Sequence, residues 1–215
     1  MRKSIAIILL LMLLLTSCSR FRYNPKADQS FLTDQPCPAP CWHGLVPGVS
    51  TKAEVLATLE ELAFIDRNSI KEYGRRWEGD DSAQEITFSC RYPRGKFCGN
   101  AVMSFDELKS MVLPVNFPLT FKDSVNKLGL PEYVDYGGYH PDVGGCRVYL
   151  TWPDQGISAG HVNKRNAQIC REIRDNKGLP SETLVETLVY VIPNSFKLVP
   201  GAGAQRIEWP GFSNE

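Results

Sequence analysis

Histidine is scarce in this chain, 3 residues among 215, and that scarcity removes most routes to acid–base or metal chemistry at the outset. No His-Glu-x-x-His pair and no Gly-Lys-Ser/Thr phosphate loop occurs, so a zinc peptidase and a nucleotide-binding loop are excluded as readings. Neither charge is in excess: 24 Lys and Arg face 24 Asp and Glu, with no dense basic cluster, which argues against nucleic acid as a partner. Beyond the first 17 residues no apolar run approaches the roughly 18 that a membrane span needs. What remains, 43% hydrophobic, 22% charged and 10% aromatic, is the composition of a globular domain and not of a disordered or collagenous chain.

The N-terminus carries the clearest signal. Arg2 and Lys3 precede an uninterrupted apolar run from Ile5 to Leu15, too short for a stable span and of the form of a secretory signal peptide. The run ends in Leu15-Thr16-Ser17-Cys18, which resembles the bacterial lipobox, in which the cysteine is acylated and becomes the first residue. Residues 1–17 are then a lipoprotein signal peptide and 18–36 a lipidated N-terminus and tether. The expected address is the cell membrane or the outer membrane, lipid-anchored on the extracytoplasmic side. Removing Arg2 and Lys3 makes the exported chain mildly acidic.

Export puts the other cysteines in an oxidising compartment, where an even number reads as disulfides. Six remain, and proximity favours Cys37 with Cys41, Cys90 with Cys98, and Cys146 with Cys170. The rival for Cys37, Cys41 and His43 is a metal or haem site. A c-type haem needs the histidine directly after the second cysteine, and structural zinc needs a second ligand pair, so no metal and no cofactor is expected.

Two segments carry helix-start chemistry. Thr51 with Glu54, and Thr120 with Asp123, have the spacing at which a hydroxyl and a carboxylate satisfy each other's backbone N–H groups. After the first, Val55, Leu56, Leu59 and Leu62 fall on one helical face, predicting a helix over 51–62. After the second, Val125 and Leu128 do the same before Gly129-Leu130-Pro131 stops the helix. Alternation at 85–92 and 101–105 around Pro93-Arg94-Gly95-Lys96 predicts an antiparallel hairpin, with 108–113 extending its return strand. Further strands are predicted at 133–136, 146–152, 156–161 and 184–192. The last 22 residues read as an irregular closing segment. Setting Ser50 against Thr120 suggests a repeat of about 70 residues. The expected fold is α+β: two tandem units of short helix plus antiparallel meander, 37–118 and 119–215, with helices on one face of the sheet.

The segments Pro47 to Leu56 and Leu119 to Pro131 resemble the helical entry of small bacterial lipoproteins of the BamE/SmpA-like group, which share their layout with the β-lactamase-inhibitor-protein repeat. The resemblance implies a binding or scaffold role without catalysis. The chain departs from that group in its six paired cysteines and its two helical entries, so a part in outer-membrane protein assembly does not carry over.

Candidate residues for chemistry are few. His140 lies in a Gly-rich loop and His161 at a strand end; with a nearby acid either would serve an envelope hydrolase, the alternative reading. Glu78, Asp80 and Asp81 lack calcium-loop spacing. The aromatic cluster Tyr133 to Trp152 is the strongest binding signal, because tyrosine and tryptophan dominate hot spots. Tyr139, Tyr149 and Trp152 are its expected contacts, with an envelope protein or a glycan as partner besides the membrane that holds the lipid.

Overall fold

The computed structural model describes residues 28–74, 83–91, 95–138, 145–163, 167–175, 177–195 and 204–213. Cys18, Tyr139, His140, Glu78, Asp80 and Asp81 lie outside them.

Four helices and nine strands make up the described fold. The helices are α1 (Ser30–Thr33), α2 (Lys52–Glu61), α3 (Phe121–Leu128) and α4 (Gln168–Arg174). The strands are β1 (Ile65–Gly74), β2 (Gln84–Cys90), β3 (Phe97–Ser104), β4 (Glu107–Pro114), β5 (Tyr133–Gly138), β6 (Cys146–Trp152), β7 (Ile157–Asn163), β8 (Thr187–Val191) and β9 (Ala204–Glu208). Both longer helices start where the hydroxyl–carboxylate spacing places them. The Thr51 N–H donates to Glu54 Oε2 at 2.7 Å and the Thr120 N–H to Asp123 Oδ2 at 2.9 Å, and each threonine hydroxyl accepts the N–H three residues on. Two orphan donors are thereby satisfied at each start. Hydrogen bonds from Thr51 hold the exposed Glu54 carboxyl below its ordinary value.

All nine strands hydrogen-bond into one sheet, in the order β1-β2-β3-β4-β8-β7-β6-β5-β9, every neighbour antiparallel. This corrects the α+β expectation: the fold is mostly β, and the sheet does not divide into tandem helix-plus-meander units. The deciding contact is β4 with β8, paired from Ser110 with Val191 to Pro114 with Thr187. Two edges that would otherwise expose unpaired backbone groups are closed on each other. Met111 and Leu113 of β4 then lie beside Tyr190 and Leu188 of β8 in one core that runs the length of the sheet. The helices, of 4 to 10 residues, supply Phe31, Val55, Leu59, Phe121 and Ile173 to that core. Among the described residues no helix is long and apolar enough to cross a membrane.

Three strands depart from the sequence expectation. β4 is a strand of its own and not an extension of β3, because Phe105 and Asp106 both take left-handed backbone, with φ of 50° and 64°, and reverse the chain. β1, whose sequence IDRNSIKEYG shows no alternation, forms as an edge strand; its charges suit an edge that must not pair further. β9 orders part of the segment expected to be irregular by pairing with β5 from Tyr133–Glu208 to Gly137–Ala204.

Residues 28–36, expected to be tether, pack on the domain. Phe31 is buried, Lys127 Nζ meets Asp34 Oδ1 at 2.7 Å, and the Asp28 carboxylate accepts from Trp42 Nε1 and lies 3.1 Å from His43 Nε2. Burial pushes the Asp28 carboxyl up, but hydrogen bonds from His43, the Ser30 N–H and Trp42 outweigh it and hold the group below its ordinary 3.8. A lowered carboxyl contributes stability that is present above the unfolded value and lost as pH falls through the folded one. Asp28→Asn is therefore expected to cost about 2 kcal/mol near neutrality. The difference from wild type should shrink as pH drops below about 4. Urea denaturation of both proteins from neutral to acid pH reads this directly, and a gap independent of pH would show that the carboxylate charge is not what holds the segment.

Candidate functional site

Side chains alternate between the two faces of a sheet, and the register assigns each. Ile86, Ala101, Met111, Tyr190 and Ile157 occupy one cross-strand row and face the core. The neighbouring row runs across all nine strands on the opposite face. It starts at Lys71 on β1, passes Asn100, Val189, Ser158 and Thr151, and ends at Glu208 on β9. Val102, Val112, Val189 and Val191 share this second face and belong to no part of the core cluster. The middle of this second face is nevertheless shielded from solvent: Thr151 and Ser158 have no exposure and Val189 is buried.

A polar group on this second face sits on β5, β6, β7 and β9, toward one end of the sheet. Asp135, 5% exposed, accepts two hydrogen bonds from Arg206, from Nε at 2.7 Å and from Nη2 at 3.0 Å. The Asp135 carboxylate in turn raises the Arg206 guanidinium above its ordinary value. Such a fork fixes both side chains in one plane, and the guanidinium carbon also lies 5.0 Å from the centre of the Tyr133 ring. Thr151 Oγ1 donates to Asp135 Oδ2 at 3.4 Å and stands 3.2 Å from Ser158 Oγ, which donates to the Leu150 carbonyl at 3.0 Å. Three strands away, Asn100 Nδ2 donates to Glu85, while its Oδ1 is buried without a partner among the described residues.

The expected contact residues separate here. Tyr149 belongs to the second face, in register with Asp135 and Gly160, and its ring lies over Gly160. A Cβ on that glycine would come within 2.2 Å of Tyr149 Cε1 and 2.5 Å of Cδ1. Glycine is present at 160 because the ring occupies the space of a side chain. Trp152 points the other way: it is 3% exposed and its Nε1 donates to the Gly129 carbonyl at 2.8 Å, so it is a core residue. Period-two geometry decides both, since 149 and 152 differ by an odd number.

The same parity bears on hydrolysis. Gly156-Ile157-Ser158-Ala159-Gly160 has the Gly-x-Ser-x-Gly spacing of a nucleophile elbow, which requires a sharp strand-to-helix turn that lifts the serine out. Here the serine sits within β7, with no exposure at all. His161, three residues on, falls on the opposite face, opposite Val148. Its Nδ1 lies 2.9 Å from the Leu184 carbonyl oxygen and 3.8 Å from Glu186 Oε2. No described serine or cysteine is hydrogen-bonded to it. Sulfur pairing follows proximity: Cys37–Cys41, Cys90–Cys98 and Cys146–Cys170 are joined, with Cα separations of 5.7, 5.0 and 5.9 Å. The first bridge takes both thiols that a metal site beside His43 would use. Among the described residues no group of three or more potential metal ligands gathers.

A shallow cavity of about 320 Å³ lies at the β3–β4 turn, lined by Lys52, Gln84, Met103, Phe105 and Asp106. Its lysine is engaged by Glu72 at 2.5 Å and by Gln84 at 2.9 Å.

No protein-family model matches the chain, and no curated protein or solved structure is significantly similar to it. The likeness to BamE/SmpA-like lipoproteins therefore rests on the quoted residues alone.

Proposed function

We infer that this is a non-enzymatic binding lipoprotein of the cell envelope, held at a membrane through Cys18 and meeting its ligand on the side of the sheet that carries Tyr149 and Arg206. The observation that carries the reading is the fixed pair of Asp135 with Arg206 on the second face of the nine-strand sheet, beside the tyrosine lying on Gly160. Fixed hydrogen-bonding groups and an aromatic ring on a stiff sheet suit recognition, because little side-chain entropy is lost when a ligand arrives. A hydrolase would need a nucleophile and a base on one face, and Ser158 and His161 are on two.

A photo-crosslinking amino acid placed at Thr187, half-buried on the same face as Tyr149, or at Glu60, exposed on α2, tests the reading in intact cells. The Thr187 probe is expected to capture a defined envelope component, and Tyr149→Ala to reduce that capture more than about tenfold with melting nearly unchanged. Cys18→Ala is expected to abolish palmitate incorporation and release the protein from membranes. Capture from Glu60 but not from Thr187 would move the binding surface to the helical side and overturn the assignment of the face.

A further inference from the structure

We propose that the Cys37–Cys41 bridge is a thiol–disulfide exchange site that accepts two electrons from a dithiol of an exported protein; this goes beyond the binding reading and does not depend on it. Of the three bridges it is the one in which both cysteines reach the surface, each half-buried. Cys90 and Cys98 are 5% and 7% exposed, and Cys146 has no exposure. The bridge also has the shortest span in sequence, 4 positions against 8 and 24, so closing it removes the least entropy from the unfolded chain. An accessible bridge that contributes little to stability is the kind that exchanges.

A second observation is a donor aimed at one of the two sulfurs. The Gly44 N–H donates to Cys37 Sγ at 3.4 Å. A tight turn sets its position: His43 and Gly44 both take left-handed backbone, with φ of 50° and 89°, while Trp42 and Leu45 exchange backbone hydrogen bonds, each at 2.9 Å. Trp42 and Leu45 are buried, and Asp28 also holds Trp42 Nε1. None of these contacts uses the bridge, so the donor stays in place when the sulfurs part. A thioether-like sulfur accepts weakly and a thiolate accepts strongly, so a fixed N–H favours negative charge on Cys37.

That charge assigns the order of the step. A thiolate of the partner attacks Cys41 Sγ, the Cys37–Cys41 bond breaks, and its electron pair leaves on Cys37 Sγ beside the Gly44 N–H. The partner's second thiolate then attacks its own sulfur in the mixed disulfide and releases Cys41. The partner dithiol is oxidised to a disulfide, the bridge is reduced to two thiols, and the two protons of the dithiol end on Cys37 and Cys41. Within the loop the Cys41 N–H donates to the Pro38 carbonyl at 3.0 Å. This turn does not depend on the sulfurs and keeps the two thiols near each other for the return step.

The probe is dithiothreitol, added to the full-length protein in detergent micelles, with alkylation at intervals and mass mapping of each cysteine. Cys37 and Cys41 are expected to open about tenfold or more faster than the other two bridges, with melting nearly unchanged. In the reduced protein at about pH 6, Cys37 should alkylate about threefold or more faster than Cys41, because its thiolate has the donor. In intact cells Cys37→Ser should trap a mixed disulfide between Cys41 and an envelope protein, released by reductant, and Cys41→Ser should trap much less. Far-ultraviolet melting checks that each variant folds; should Cys37→Ser unfold, Cys37→Ala supplies the same trap. All three bridges opening at one rate, or a Cys37–Cys41 bridge that stays closed, overturns the proposal. Selective opening with no protein trapped makes a small thiol the reactant and overturns the protein dithiol. Equal alkylation, or trapping mainly from Cys41→Ser, overturns Cys37 as the leaving sulfur. Failure of crosslinking from Thr187 changes none of these readouts, so the two readings fail separately.

Discussion

Arg206→Leu is expected to destabilise the folded protein by about 3 kcal/mol, the lower end of the cost of stranding one member of a buried ion pair. The guanidinium itself is partly solvated, its side chain 30% exposed, but Asp135 is not, with a side chain 6% exposed. Removing the arginine leaves a buried carboxylate on the next-to-last strand of the sheet with one long hydrogen bond, that from Thr151 at 3.4 Å. The size of the effect comes from that uncompensated charge, not from the attraction lost. It follows that Asp135→Asn/Arg206→Leu should be less destabilised than the sum of the two single variants, by about 1 kcal/mol or more, since the two side chains share one network. Chemical denaturation of the four proteins checks it. Strict additivity would mean that Asp135 is rescued by water and that the two side chains are not the fixed pair described above.

Trp152→Ala is expected to cost about 3–5 kcal/mol of folding stability. The indole is buried at the end of β6, against Ile157 across the β6–β7 pairing. Its truncation opens a cavity and also leaves the Gly129 carbonyl, at the end of α3, without its donor. Tyr149→Ala, three residues away, should cost less, because that half-buried ring lies over a glycine on the second face and not in the core cluster. Thermal melting of both variants distinguishes the two sides. Similar losses for the two would contradict the assignment of Tyr149 to the second face and Trp152 to the core.

Much of the local structure is legible in the chain. Thr51 with Glu54 and Thr120 with Asp123 start their helices where the spacing places them, because capping is settled by atoms three residues apart. The hairpin of β2 and β3, the strands β5 to β8 and the three sulfur pairs are likewise short-range matters of alternation, turn residues and proximity. The Gly156 to Gly160 spacing shows the limit of such reading: the pattern of a nucleophile elbow is there, and the strand that contains it buries the serine.

Tertiary structure decided the rest. Whether two meanders stay separate or share an edge depends on β4 and β8, which lie more than 70 residues apart in the chain and show no mutual signal in sequence; their pairing made one mostly-β sheet of what short helices and local meanders suggested were two α+β units. The edge strands β1 and β9 carry charges and weak alternation, since one side of each meets no neighbour, and they order only because β2 and β5 offer hydrogen bonds. The site itself is the clearest case. Asp135 and Arg206 are 71 residues apart, and nothing in either neighbourhood marks them until β9 lies down beside β5 and places the two side chains on the same face.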